Sequence, residues 1–142
     1  MLDVTVNSVQ GAVPVTVMRL NGELDASNFE SLITQTQSLY AEGSRDLLLD
    51  LEKLSFLSSS GLVAFHRMAL VMRGEALDAA EEGWGAFHAI SREVEQGSGP
   101  EPHYKLLNPQ ATVRKVLDTS GFSRIMAIFE DENEALASFG QV

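Results

Sequence analysis

The spacing of apolar residues changes repeatedly along this chain of 142 residues, between the two-residue period of strands and the 3.6-residue period of helices. Segments 2–7 and 13–17 alternate apolar and polar residues. The short loop between them contains Gly11, and such a pattern predicts an antiparallel hairpin. Residues 29–40 change to helical spacing, which predicts a helix immediately after the hairpin.

Polar residues at the ends of these segments predict where the helices begin and end. Ser27 and Glu30 have capping-box spacing before the first helix, and Gly43 provides its C-terminal stop. Asn108 and Pro109 predict the start of a later helix that ends at Gly121. A short last helix is predicted over residues 131–139, with Asp131 as its cap.

Three further strands are predicted between the helices. The uninterrupted apolar run Leu47–Leu49 is typical of a strand covered on both faces, and shorter strands are predicted at 103–108 and 126–129. The order of elements is β-β-α-β-α-β-α-β-α, in which helical crossovers connect parallel strands with right-handed connections. We therefore expect an α/β sandwich with four or five strands.

Composition limits the classes of function. The chain has 20 acidic and 10 basic residues, a formal net charge of −10, which disfavours direct binding to nucleic acid or to an anionic membrane. It contains no cysteine, so thiolate chemistry and disulfides are excluded. No segment approaches the roughly 20 apolar residues of a membrane span, and the N-terminus lacks a signal-peptide pattern. We expect a cytoplasmic protein without membrane insertion.

An enzyme is not expected. The segment LSSSG lacks the first glycine of a nucleophile elbow, because Leu57 stands at that position. The three histidines, His66, His88 and His103, have neither metal-ligand spacing nor an obvious base partner. A glycine-rich phosphate loop is also absent, so we predict no cofactor and no metal.

Residues 75–102 are predicted to be a helical insertion after the second helix, because the helical stripe continues beyond Met72 and ends in the loop GSGPEP. In this insertion, Trp84 and Phe87 lie close in sequence to three acidic residues, which are Asp78, Glu81 and Glu82. The two aromatic residues are interpreted as packing residues of a possible homodimer. The alternative is that Trp84 anchors a different partner, since tryptophan is enriched at binding hot spots.

Three segments of the chain resemble those of STAS domains, and of bacterial anti-sigma factor antagonists in particular. They are RLNGELDASNFESL, LLLDLEKLSFLSSSGLVAF and VLDTSGFSRIMAIFEDENEAL. The resemblance extends over nearly the whole chain apart from the insertion. It implies a single STAS-like domain over residues 1–142, with a mixed sheet and about four helices.

The resemblance also implies a regulatory switch. Antagonists of this family bind an anti-sigma factor that is also a serine kinase, and the kinase phosphorylates a serine or threonine at the start of the second helix. The family pattern is close to Asp-Ser-Ser/Thr-Gly-Leu. Carried onto this chain, Ser59 takes the acceptor position, Ser60, Gly61 and Leu62 follow it, and Ser58 replaces the aspartate. The resemblance implies that these four neighbours of Ser59 contact the partner.

The physical chemistry of the junction is consistent with such a switch. A helix N-terminus offers unpaired N–H groups and a partial positive charge, so a phosphate there would change the surface without unfolding the domain. The other interpretation is structural, because a serine at this position is most often an N-cap. We expect one serine, Ser59 or Ser60, to cap the helix.

Asp25, in the segment NGELDASN, takes the position of an acidic residue that the resemblance places near the acceptor, in contact with the partner. It is also interpreted as a turn or helix-entry residue. Two other functions stay open, a STAS docking or ligand-sensing scaffold that is not phosphorylated and a STAS subunit of a lipid-transport complex.

Overall fold

A computed structural model of the chain describes residues 2–75 and 101–140. The described residues contain five strands and four helices, with one 3₁₀ turn at Phe122–Arg124. The strands are β1 (Leu2–Gln10), β2 (Pro14–Leu24), β3 (Leu47–Leu57), β4 (Tyr104–Leu107) and β5 (Ile128–Phe129). The helices are α1 (Phe29–Ala41), α2 (Ser59–Met72), α3 (Ala111–Ser120) and α4 (Glu132–Ser138).

The strands form one mixed sheet in the order β1-β2-β3-β4-β5. β1 and β2 are the predicted antiparallel hairpin, and the other neighbouring pairs are parallel. A strand that returns through a helical crossover runs parallel to its predecessor, which explains this change of direction along the sheet. The prediction of a mixed sheet with about four helices is therefore confirmed.

The apolar run at the start of β3 is buried on both faces of the sheet, as predicted. Leu47 and Leu49 belong to the larger core cluster, which lies against α1, α2 and α3. Leu48 points to the opposite face of the sheet. There it packs in a smaller core cluster with Leu136 of α4 and with Phe139, the residue after α4. Burial on both faces explains why this strand lacks the polar alternation of β1.

α2 is buried along almost its whole length, since every residue from Gly61 to Met72 is buried. A helix that is mostly apolar around its circumference is expected in such a position. The helix ends at Met72, and Gly74 has a left-handed φ of 81°. The predicted continuation lies outside the described residues.

Two of the predicted helix starts are wrong. Asn28 is the N-cap of α1 in place of Ser27, which is hydrogen-bonded to Asp25. The Asn28 side chain makes no capping hydrogen bond, because its Oδ1 accepts from the Asp25 N–H. α3 begins at Ala111 after Gln110, two residues later than expected from Asn108 and Pro109.

The other predicted ends are confirmed. The glycines after α1 and α3 have left-handed backbones, with φ of 113° at Gly43 and 81° at Gly121. Asp131 caps α4 by accepting hydrogen bonds from the N–H groups of Asn133 and Glu134.

The predicted insertion lies almost wholly outside the described residues, including Asp78, Glu81, Glu82, Trp84 and Phe87. The boundaries of a single domain over residues 1–142, and dimerisation through the insertion, therefore stay predictions. Within residues 2–75 and 101–140, no helix has the length and apolar character that a membrane crossing requires.

Candidate functional site

The C-terminal ends of β2 and β3 lie side by side and carry the two segments that the sequence singled out. The strands are parallel, and Leu24 is the register partner of Leu57. The Ser58 N–H donates a 3.0 Å hydrogen bond to the Leu24 carbonyl. Parallel strands direct their C-terminal ends to the same edge of a sheet, so the loop beginning at Asp25 and the serine run leave the sheet from adjacent points.

Ser58 is the N-cap of α2. Its backbone is extended, with φ of −82° and ψ of 173°, and its Oγ accepts a 3.1 Å hydrogen bond from the Gly61 N–H. This geometry satisfies one of the N–H groups that a helix start leaves without a partner. The expectation that Ser59 or Ser60 caps the helix is wrong, because β3 ends at Leu57 and the helix begins one residue earlier than expected.

The residues after the cap differ in their access to solvent. Ser59 is exposed in the first position of the helix, and Ser60 is half-buried. Gly61 and Leu62 are buried, and Leu62 is only 4% exposed. Ser59 is therefore the most accessible side chain of this turn, whereas Gly61 and Leu62 support the turn from beneath. Partner contact by Ser58, Ser60, Gly61 and Leu62 stays a prediction.

Gly61 allows the helix start to lie directly on the two strand ends. A Cβ atom added at Gly61 would be 2.6 Å from Leu57 Cδ1 and 2.9 Å from Leu24 Cγ. Both separations are too short for carbon atoms that are not bonded. The absence of a side chain at this position therefore fixes the distance between α2 and the ends of β2 and β3.

Asp25 organises the loop between β2 and α1. Its Oδ1 accepts hydrogen bonds from the Ser27 N–H at 2.9 Å and the Ser27 Oγ at 2.6 Å. Its own N–H donates to Asn28 Oδ1 at 3.0 Å, and its carbonyl accepts from Phe29 N–H. The predicted role of Asp25 as a turn residue is confirmed by these bonds, and its contact with a partner stays a prediction.

The same bonds keep Asp25 charged. The hydrogen bonds from the Ser27 hydroxyl and then from the Ser27 N–H stabilise the carboxylate and lower the pKa of Asp25 below its usual value. Glu23, at the end of β2, is exposed two residues earlier. The surface next to the serine turn is therefore acidic at neutral pH.

Phe56 is a candidate that the sequence did not single out. It is 49% exposed, whereas the other large apolar side chains of the described residues are buried or half-buried. It is the cross-strand neighbour of Glu23 and lies three residues before Ser59. The sequence does not distinguish Phe56 from the neighbouring apolar residues Leu54 and Leu57, which are buried.

The backbone around Phe56 is held by side-chain hydrogen bonds. Ser55 Oγ donates to the Gly22 carbonyl at 3.0 Å, and Thr112 Oγ1 donates to the Ser55 carbonyl at 3.4 Å. Gln110 Nε2 donates to the Glu52 carbonyl at 2.8 Å. These bonds connect the end of β3 to β2 and to the start of α3, so the exposed ring stands on an ordered base.

Over the residues that the structure describes, no group of three histidine, cysteine, aspartate or glutamate side chains could hold a metal ion. His66 is buried within α2, and His103 Nδ1 lies 2.9 Å from Asp46 Oδ1. What the strand ends offer is an exposed hydroxyl at a helix start, two acidic side chains and an exposed aromatic ring.

Comparison with known proteins identifies the architecture. The family model described as the STAS domain matches residues 6–73, from β1 to the end of α2. An anti-sigma factor antagonist from Mycobacterium paratuberculosis has the same fold, with a TM-score of 0.67 at 16% identity, and the match covers 99% of this chain and 96% of that one.

SpoIIAA, an anti-sigma factor antagonist, is also similar to this chain in its unphosphorylated form. The identity is 27% and the TM-score 0.56, with 94% of this chain and 92% of that chain covered. The phosphorylated form of the Bacillus cell fate determinant SpoIIAA matches with 26% identity and a TM-score of 0.50, over 94% of this chain and 96% of that chain. These matches and the topology of the sheet show a STAS-like fold, which is similar to that of the solved anti-sigma factor antagonists.

Proposed function

We propose that this protein is a regulatory binding module that acts as an anti-sigma factor antagonist and is switched by phosphorylation of Ser59. Its partner is an anti-sigma factor with serine-kinase activity, and the module itself catalyses no reaction. The observation that carries the proposal is the position of Ser59, an exposed hydroxyl in the first turn of a helix that is buried from Gly61 to Met72. The similarity to SpoIIAA, which exists in phosphorylated and unphosphorylated forms, supports it.

Phosphorylation at this position would change the surface and leave the fold intact. A phosphate adds about −1.5 to −2 charges at neutral pH and meets the positive end of the helix. Ser59 is exposed and Ser58 provides the cap, so the modification removes no capping bond. The Ser58–Leu24 hydrogen bond brings the serine turn next to the acidic surface that contains Asp25 and Glu23, so the new charge would increase the negative potential that a partner meets.

The replacement of the family's aspartate by Ser58 is compatible with this mechanism. Aspartate and serine are both strong N-caps, because each offers a side-chain oxygen to the helix N–H groups. Ser58 forms that bond here. The departure therefore removes a charge beside Ser59 and keeps the helix start, so a kinase that requires the charge would discriminate against this chain.

Phe56 is proposed as the apolar anchor of the partner surface. Aromatic side chains at the centre of an interface commonly contribute more than 1 kcal/mol each, and an ordered base reduces the entropy lost on binding. The acidic neighbours Glu23 and Asp25 favour a partner whose pocket for the ring is bordered by basic side chains. The contact residues predicted from the sequence would surround this anchor.

The test begins with affinity capture from an extract of the source cell, in which the unmodified protein and Ser59→Asp serve as baits. Ser31→Asp is the matched control, because it adds the same charge in the first turn of α1. We expect an anti-sigma factor kinase to bind the unmodified protein and Ser31→Asp but not Ser59→Asp. The identified kinase and ATP should then phosphorylate the protein on Ser59 and leave Ser59→Ala unmodified, as read by mass spectrometry.

Other results would replace the proposal. If both aspartate baits retain the same partner, Ser59 does not control binding and the protein is a docking or ligand-sensing scaffold. Capture of a transport ATPase with its permease would make it a subunit of a lipid-transport complex. The cytoplasmic location predicted from the sequence stays a prediction.

A further inference from the structure

β1 lies at the edge of the sheet that the described residues form. All nine of its residues, Leu2–Gln10, pair with β2 in one uninterrupted register, from Leu2 opposite Gly22 to Gln10 opposite Pro14. The pairing of β2 with β3, in contrast, is interrupted by two register shifts. In an antiparallel pair the outer edge of the strand directs N–H and C=O groups away from the sheet at regular intervals. β1 is therefore a long, regular template for another strand.

The strand lacks the features that usually prevent such pairing. Edge strands are commonly protected by brevity, by a bulge, by proline or by lysine. β1 contains no proline, no basic residue and no bulge, and Asp3 is its only charged residue. Its length of nine residues exceeds the usual five or six.

The apolar side chains of β1 are incompletely buried. Leu2, Val4 and Val6 pack against the larger core cluster and Val9 against the smaller one, and all four are half-buried. Thr5 and Asn7, on the opposite face from Val4 and Val6, are exposed. A strand added beside β1 would extend the apolar row on the helical face and meet polar side chains on the other.

We propose that the strand beside β1 is the β1 strand of a second copy of this chain, antiparallel to it and centred on Val6. This register sets Val6 against the partner subunit's Val6 and Thr5 against the partner subunit's Asn7. The helical faces of the two strands coincide because the sum of the paired residue numbers is even. On that face the two Val6 side chains meet, and Val4 lies opposite the partner subunit's Ser8.

The single charge of the strand favours this arrangement. Asp3 lies opposite the partner subunit's Val9, so the two aspartates are about 20 Å apart, more than two Debye lengths at physiological salt. The register therefore contains no opposed like charges, although each chain carries a formal charge of −10. That overall repulsion makes dimerisation stronger at higher salt.

The proposal is independent of phosphorylation and of the anti-sigma factor, because its test uses the purified full chain alone. Light scattering after size exclusion should give a mass of twice 15.4 kDa at high protein concentration and a shift to the monomer on dilution. Hydrogen exchange at residues 2–10 should slow as the protein concentration rises. A monomeric mass across the whole soluble range, or exchange in β1 that does not change with concentration, overturns the proposal.

Two double variants test the register. Thr5→Glu with Asn7→Glu places two pairs of glutamates opposite each other across the interface and should weaken dimerisation by about tenfold or more. Thr5→Glu with Asn7→Lys places opposite charges at the same positions and should dimerise at least as tightly as the unmodified chain. Both variants carry a glutamate at position 5, opposite Arg19 of the same subunit, so any effect of this glutamate on the monomer is the same in both. Dimerisation that is insensitive to both variants places the interface on another surface and contradicts the proposal.

Discussion

The N-cap of α2 depends on one hydroxyl group. Ser58 Oγ accepts the hydrogen bond from Gly61 N–H, and no acidic residue lies in the first turn of the helix to assist it. Ser58→Ala should therefore lower the free energy of unfolding by about 1 kcal/mol. Ser58→Asp should keep the stability, because its carboxylate can accept the same bond and interacts favourably with the helix dipole.

Urea unfolding of these variants tests that assignment. Ser59→Ala is the control and should lie within about 0.5 kcal/mol of the unmodified protein, since Ser59 is exposed. A larger loss of stability in Ser59→Ala than in Ser58→Ala would mean that Ser59, and not Ser58, caps the helix.

Gly61 should reverse the usual effect of replacing glycine by alanine in a helix. Such a change normally stabilises a helix by about 1 kcal/mol. Here the new Cβ would be 2.6 Å from Leu57 Cδ1 and 2.9 Å from Leu24 Cγ, so Gly61→Ala should destabilise the protein by about 1 to 3 kcal/mol. The measurement is urea unfolding, with Ser60→Ala as the neighbouring control. A stabilised Gly61→Ala variant would contradict the close packing of α2 on the strand ends.

At the scale of the elements, Arg19 connects the last helix to the sheet. It forms ion pairs with Asp50 of β3, whose side chain is 7% exposed, and with Glu132 of α4, whose side chain is 38% exposed. The hydrogen bonds to Glu132 and Asp50 outweigh desolvation and raise the pKa of Arg19. The two partners of one guanidinium thus differ mainly in their access to water.

That difference leads to a prediction about α4. Arg19→Met leaves the buried Asp50 without this cation and should cost about 1 to 3 kcal/mol, less than a wholly buried pair because Arg19 is 40% exposed. Glu132→Gln removes the solvated partner and should change the stability by less than about 0.5 kcal/mol. Thermal unfolding of the two variants gives the comparison. Equal losses would mean that the pair with Asp50 contributes no more than the exposed one.

The order of the elements could be predicted from hydrophobic periodicity, because burial on one or two faces imposes it. The segment Leu47–Leu49 and the change of period at the serine run are examples. Helix starts depend on local bonds that compete with one another. Ser27 has the spacing of a capping box, but Asp25 holds both its N–H and its hydroxyl. The sequence alone does not decide that competition.

The location of the candidate site could be predicted from the sequence, but the exposure of its side chains could not. The serine run marked the junction, whereas the exposure of Phe56 depends on where its neighbours end. β4 pairs with β3 only as far as Asp50, so the remainder of β3 extends beyond it. The apolar run that predicted burial on both faces ends at Leu49, and no feature of the sequence showed that the ring of Phe56 is exposed.

For the molecule as a whole, the sheet separates the proposed surfaces. Ser59 and Phe56 lie at the C-terminal ends of the parallel strands, and β1 is separated from β3 by β2. A dimer through β1 would therefore carry two copies of the partner surface. A partner that is itself dimeric would bind such a pair with increased avidity wherever the geometry allows both contacts.

The response of the whole molecule to alkaline pH should depend on Tyr104. Its side chain is completely buried, and desolvation raises its pKa well above the usual value of 10. In the unfolded chain the phenol ionises near pH 10, whereas in the folded protein it keeps its proton. Above about pH 10 the unfolded state therefore binds fewer protons, and stability falls with pH by up to about 1.4 kcal/mol per unit.

Tyr104→Phe removes this pH-dependent loss of stability. At neutral pH the variant should lie within about 1 kcal/mol of the unmodified protein, because the hydroxyl makes only a weak contact with Met68 Sδ at 3.8 Å. Between about pH 9 and pH 11, urea unfolding should show the variant becoming steadily more stable relative to the unmodified protein. Burial lowers the pKa of Lys105, which favours folding as pH rises, but this contribution is common to both proteins and cancels in the comparison. Parallel pH profiles would mean that the phenol of Tyr104 ionises as readily in the folded protein as in the unfolded chain, which is incompatible with its place in the core.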